Sequence, residues 1–406
     1  MSHLLNIGIG LFLACLTAGD SSAIELEPPP ARPGSLAPFL ATTEDGAMLS
    51  WLEPVASSPD TKTYRLQVAR LDGSTWSDPV TIVQRSDFFA NWADVPTISH
   101  DGTRWLATWL QMSGPGTYSY DIAVANSPDG LSWTHMGTLN DDRTMTEHGF
   151  VSLVPDGDAT RAFWLDGREM SAGSDSHGHG SGAMTLRTAL ISDTIGESSV
   201  IDEMVCECCP TSATMTAEGP IVLVRNRTGE EVRDIECLRS QDDFSSPVMV
   251  YEDNWTIAGC PVNGPAVEAK YNLVAAAWYT AAPERRGVWA TFSDDAGATF
   301  GTPIQLDGED AIGRVDLVML EDGRAAICWL SSRDDGSLLL RTVHRSGRMG
   351  EVQSLASIDS GRRSGVPRLA ALPGTGDRLL AAWTSVGDES HGLRTAIVDA
   401  CPDATP

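Results

Sequence analysis

Positive charge is scarce in this chain. Its 28 lysines and arginines stand against 55 aspartates and glutamates, giving a formal net charge of -27 over 406 residues. Such a surface repels phosphate backbones and anionic headgroups, which argues against sequence-independent nucleic-acid binding. Helical periodicity is also nearly absent, since apolar residues fall in short runs rather than at intervals of three and four. Beyond the N-terminus, no apolar stretch is long enough for a membrane-spanning helix. What remains is 42% hydrophobic and 7% aromatic, ample material for a buried core built from strands.

The first apolar run, Leu4 to Leu16, has the length of a signal-peptide core and points to export, with a periplasmic, outer-envelope or secreted destination. Two processing routes fit: cleavage after Ser21-Ser22-Ala23, or lipidation at Cys15 in Phe12-Leu13-Ala14-Cys15. The second motif carries Phe where Leu is usual, and no Lys or Arg precedes the run. Residues 1–23 are therefore assigned to a signal peptide or lipoprotein signal, 24–37 to an N-terminal segment and 38–402 to one domain.

Within that domain a short apolar segment ending in Trp recurs, often after an Asp-Gly turn: Asp45-Gly46 before Trp51, Asp101-Gly102 before Trp109, Asp156-Gly157 before Trp164, Asp322-Gly323 before Trp329. Trp278 and Trp383 end similar runs, and Arg225 fills the one double-length gap. The result is seven units of about 55 residues, each with room for four short strands between Gly, Asp, Ser and Pro turns. This predicts an all-β fold, a β-propeller of about seven four-stranded blades, with a six-bladed ring plus an extra sheet as the alternative. The last unit has only three strands before Cys401, so residues following Ile24 are expected to close the ring, although prolines at 28–30 and 33 weaken that strand.

Ser293-Asp294-Asp295-Ala296-Gly297-Ala298-Thr299-Phe300 resembles the Asp-box hairpin of sialidases, and Ser127 to Trp133 and Asp72 to Trp76 are reduced versions of it. In that pattern Ser and Asp satisfy the turn backbone while the aromatic ring packs beneath. The resemblance implies a sialidase-like propeller with the motif away from the functional face. Sialidases cleave terminal sialosides with an arginine cluster, a Tyr nucleophile paired with Glu, and an Asp acid/base. That set is not complete here: no Phe-Arg-Ile-Pro segment exists, and no Tyr, including Tyr120, stands in an evident nucleophile context.

Two constellations carry chemistry. His148 and Cys209 lie 16 residues ahead of Trp164 and Arg225, and Cys260 lies at a near-equivalent offset ahead of Trp278. With Cys208 they form a candidate set for copper or zinc, because thiolates and imidazole suit both. Cys206, His177 and His179 are weaker members. A disulfide from Cys209 to Cys260 is the competing expectation, worth about 4 kcal/mol as a cross-link. The second constellation is Arg168, Arg225, Arg227, Arg233 and Arg314, whose guanidinium forks could hold an anion at the channel mouth. Asp94, Glu147, Asp166 and Asp316 are the acid/base candidates. Three functions follow: an exported sialidase-like propeller binding an anionic glycan, with glycoside hydrolysis if it is an enzyme; a copper- or zinc-binding redox propeller; or a disulfide-stapled interaction scaffold.

Overall fold

The computed structural model describes residues 24–25, 28–55, 62–170, 182–386 and 391–400. The leader, Cys15, His177, His179 and Cys401 lie outside the described residues. The described chain is almost entirely β: six sheets of four strands and one of five. No helix among the described residues is long and apolar enough to cross a membrane.

Each blade is an antiparallel meander. The first strands are Leu36–Thr43, Thr97–His100, His148–Asp156, Ser212–Thr216, Ala266–Lys270, Ala311–Met319 and Arg368–Ala371. Each contacts the first strand of both neighbouring blades, and the seventh returns to the first. These strands therefore line a closed central channel, and the ring has seven blades rather than six. In the last blade three C-terminal strands are completed by Ile24–Glu25, which pairs antiparallel with Gly392–Asp399. The N-terminal segment thus closes the ring, and an all-β sheet gains a clasp joining its two ends.

The recurring Trp residues all sit on the second strand of their blades. Trp51, Trp109, Trp164, Trp278 and Trp329 are buried to 2% exposure or less and fill the gaps between blades. The ring donors of Trp164, Trp278 and Trp329 reach Asp166, Asp253 and Asp307 at 2.6 to 2.9 Å. In the fourth blade Arg225 takes this place, fully buried. Its guanidinium donates to the carbonyls of Asn263, Arg233 and Tyr279 at 2.6 to 2.8 Å and stacks over Trp255.

The turn from Ser293 to Phe300 is held as the sequence pattern suggests. Ser293 Oγ accepts from Gly297 N at 2.9 Å, and Asp295 Oδ1 accepts from Thr299 N at 2.9 Å. The Ser127 turn repeats this, with Asp129 Oδ1 accepting from Leu131 N and Ser132 N at 2.8 Å. These turns join third and fourth strands, so they lie on the face opposite the connections that run from one blade to the next.

Candidate functional site

In a meander, the connection from the outermost strand of one blade to the innermost strand of the next emerges beside the channel. Loops after second strands share that face. Asp94, Glu147, Cys206 to Cys209, Cys260, Asn263, Arg227, Arg233 and Arg314 therefore all gather at one mouth. The innermost strands do not enter it smoothly. Their registers slip at Leu36/Phe39, Gly149/Ser152 and Gly313/Asp316, and Ala37, Phe150 and Arg314 there take φ of 58°, 54° and 55°. Bulges of this kind re-aim side chains at functional rims.

The wall formed by the second to fourth blades is acidic. Tyr120 donates its hydroxyl to Glu147 Oε1 at 2.6 Å. Burial, with the charge of Glu207 adding to it, pushes the Glu147 carboxyl up to about 7 despite that hydrogen bond. Asp94, almost fully buried, accepts from Phe150 N at 2.8 Å through Oδ1, while Oδ2 is buried with no partner. Burial and the Glu147 charge raise it well above the usual carboxylate range. A side chain at Gly149 would collide with Asp94 Oδ2, so this close approach requires glycine. Tyr120 itself is 1% exposed, stacked on Phe89 with centroids 4.1 Å apart, and raised well above its ordinary value by burial. It positions Glu147 and is not placed to attack a substrate. On the same face, a cleft of about 490 Å³ opens between Ser113, Asn140, Asp142 and Met145.

Most of the arginines proposed for anion binding are spent inside the protein. Arg168 is paired with Asp166 and Asp141 at 2.8 and 2.7 Å. Arg225 serves backbone carbonyls only. Arg227 pairs with Glu207 and Glu231, and Arg233 with Glu207 Oε2 at 2.8 Å and Glu231 Oε2 at 2.7 Å. Arg314 differs: it donates to the carbonyls of Gly361 and Gly365, stacks over Trp92 and has no ion pair among the described residues. Burial and then the charge of Arg362 bring it down to about 10. It lines a small pocket in the channel together with Pro210, Gly264, Asp316 and Arg368. Arg368 is 3.9 Å from Asp316, and its Nε is buried without an acceptor.

Two of the acid/base candidates are structural. Asp166 is fully buried and accepts from Trp164 Nε1 and three times from Arg168, once through the backbone, at 2.8 to 3.1 Å, leaving no free lone pair directed outward. Asp316 Oδ2 accepts from Leu369 N at 2.7 Å, tying the sixth blade to the seventh.

The sulfur ligands converge without the histidine. Cys206 Sγ lies 3.2 Å from Cys209 Sγ and 3.9 Å from Cys208 Sγ. Cys260, on the next inter-blade connection, is near enough to Cys208 for the two thiols to shift each other's titration, Cys208 upward and Cys260 downward. Cys206, expected only as a weaker member, is therefore central. The expected Cys209 to Cys260 disulfide is not the pairing seen, and all six described cysteines are free thiols. His148 belongs to a separate cluster. Its Nδ1 is 3.0 Å from the Tyr120 carbonyl, and its Nε2 faces Asp142 and Asp166 at 3.2 and 3.7 Å. These carboxylates outweigh burial and raise its pKa, while Asp142 is held well below the usual range. An imidazolium caged by carboxylates accounts for that geometry.

Raised carboxyls give the fold an unusual pH response. Glu147 and Glu268 stand at about 7 and Glu236 at about 9, burial being the leading cause in each. A carboxyl raised in the fold binds its proton more tightly there than in the unfolded chain. Its stabilising effect is complete below the unfolded value and is lost as pH rises through the folded one. The melting temperature should therefore be higher at pH 5 than at pH 8, with the loss below about pH 4 set by depressed groups such as Asp142. A melting temperature that climbs steadily from pH 5 to pH 8 would contradict the assignment.

No protein-family model matches this chain, and no curated protein matches its sequence. Solved structures share its fold. An alpha-L-arabinanase of Penicillium chrysogenum complexed with arabinobiose is 13% identical over 93% of this chain and 97% of its own, with a TM-score of 0.51. A lectin from Burkholderia pseudomallei is 10% identical over 91% and 96%, with a TM-score of 0.61. An alpha-L-arabinofuranosidase of Fusarium graminearum is 13% identical over 93% and 97%, with a TM-score of 0.52. At these identities the likeness is one of fold, and with the seven-bladed ring it bears out the β-propeller architecture.

Proposed function

We propose that the channel mouth binds a carboxylate-bearing glycan and hydrolyses it, with Glu147 as the proton donor. The observation that carries this reading is the Glu147 carboxyl, pushed up to about 7 and hydrogen-bonded to Tyr120 on the face where the inter-blade connections gather. A carboxylic acid that keeps its proton near neutrality is what departure of a glycosidic oxygen requires. Glu207, on the adjacent connection, is held by Arg227 and Arg233 and adds its negative charge to the same wall. Across the ring, Arg314 and Arg368 offer guanidinium groups not consumed by close ion pairs, and these suit the carboxylate of a sugar acid. Two glycosidases and a lectin among the proteins of similar fold support a carbohydrate ligand. Export, as expected from the N-terminal run, would place the protein where such glycans occur.

The test is turnover of fluorogenic neuraminides, glucuronides and arabinofuranosides by the purified full chain. Hydrolysis of an acidic glycoside is expected, with neutral ones poorer by about tenfold or more. Replacing Arg314 with Ala should raise KM for the acidic substrate by about tenfold while leaving kcat within a few-fold, since the guanidinium acts in binding. Equal KM values for the wild type and the variant would remove Arg314 from the site.

A further inference from the structure

The thiol cluster takes no part in that chemistry, yet it is one of two groups of three metal-ligating side chains among the described residues, and the only one of the two built from sulfur. We infer that Cys206, Cys208, Cys209 and Cys260 bind one thiophilic d10 ion, Cu(I) or Zn(II), at the junction of the third, fourth and fifth blades. Cys206, Cys208 and Cys209 can each place a sulfur within 4.8 Å of the other two. Thiolates about 2.3 Å from a shared ion stand about 3.8 Å apart in a tetrahedron. The observed 3.9 and 3.2 Å separations need only small side-chain adjustments to meet that geometry.

The surroundings are built for sulfur that carries negative charge. The buried Arg233 directs Nη1 at Cys206 Sγ at 3.2 Å, and Asn263 N points to Cys209 Sγ at 3.4 Å. Donors of this kind orient metal thiolates and offset their charge. Cys209 and Cys206 are buried, Cys208 is half-buried and Cys260 is exposed, so the ligands step outward from the core and leave an entry path. The donor set is sulfur alone, which selects soft ions over Mg(II) or Ca(II). His148 is already held by carboxylates and a carbonyl and is not a ligand. The chain brings these residues together by two routes: the Cys206-Glu207-Cys208-Cys209 run, and the Cys260-Pro261 connection one blade later.

The experiment uses the full chain, purified under reducing, oxygen-free conditions, loaded in parallel with Zn(II) or with Cu(I) under a competing chelator, and then desalted. Elemental analysis should find about one ion per chain, whichever of the two is retained naming the metal. The Cys206→Ser/Cys208→Ser double variant should lose it. Cys260→Ser, at an exposed position that leaves folding undisturbed, should weaken retention by about tenfold. Cys237→Ser, in a strand outside the cluster, should retain the ion as the wild type does. Equal metal content in the wild type and the double variant would overturn the inference, as would Cys206 to Cys209 and Cys208 to Cys260 disulfides in freshly isolated protein that exclude the ion. Sugar turnover is not a readout here, so failure of the metal site and failure of the glycan site are separately visible.

Discussion

Replacing Glu147 with Gln is expected to lower kcat on an acidic glycoside by about 100-fold or more, with KM changed little. The amide preserves the side-chain volume and can still accept from Tyr120, so packing of the mouth should survive. What disappears is the transferable proton. The wild-type rate should also fall as pH rises through about 7, where Glu147 ionises, and the variant should lack that limb. Replacing Tyr120 with Phe removes the hydrogen bond that favours the ionised form. The limb should then move to higher pH, because that hydrogen bond is the larger of the two influences that lower the carboxyl, leaving only the His148 charge against burial and the Glu207 charge. A structural role alone for Glu147 would change melting temperature without moving the pH profile.

The largest stability effect is expected at Arg225. Replacing it with Leu should cost about 3 to 5 kcal/mol in urea unfolding, because three buried carbonyls lose their donor together. Those carbonyls belong to Asn263, Arg233 and Tyr279, so one guanidinium ties the fourth blade to the fifth. The loss should reach the mouth as well. Asn263 hydrogen-bonds Cys209 through its backbone and receives Arg314 N at 2.7 Å through its side chain. A cost below about 1 kcal/mol would mean that water or neighbouring donors replace the guanidinium, and the proposed hub at Asn263 would fail with it.

The blade count was legible because a buried Trp marks the second strand of six blades and fixes the period. Even the exception was legible, since Arg225 stands at the expected offset and does the work of a core residue. The cysteines could be found from local spacing, for a Cys-x-Cys-Cys run and a matching Cys-Pro one blade later constrain where sulfur can go. Partner choice across blades was not legible. The offset that aligned His148 with Cys209 gives height along the channel, but the bulge after Gly149 and the carboxylates of Asp142 and Asp166 direct that ring elsewhere. The arginines misled for a related reason: the sequence shows Arg233, but not that Glu207 and Glu231 close on it. Glu207 and Tyr120 gain their importance only from contacts between connections far apart in the chain, and no local pattern announces either. Arg368 is a similar case, an ordinary strand residue until the ring places it beside the channel with an unoccupied donor.

The central claim is that the mouth is a glycan site with an acidic wall facing guanidinium groups. Calorimetric titration of the full wild-type chain with oligosaccharides ending in sialic or uronic acid, alongside their neutral counterparts, tests it most directly. The account predicts saturable binding of an acidic glycan with a Kd below about 1 mM, weakened in Arg314→Ala and absent for the neutral sugars. No binding of any acidic glycan, or equal binding of acidic and neutral ones that Arg314→Ala leaves unchanged, would contradict it.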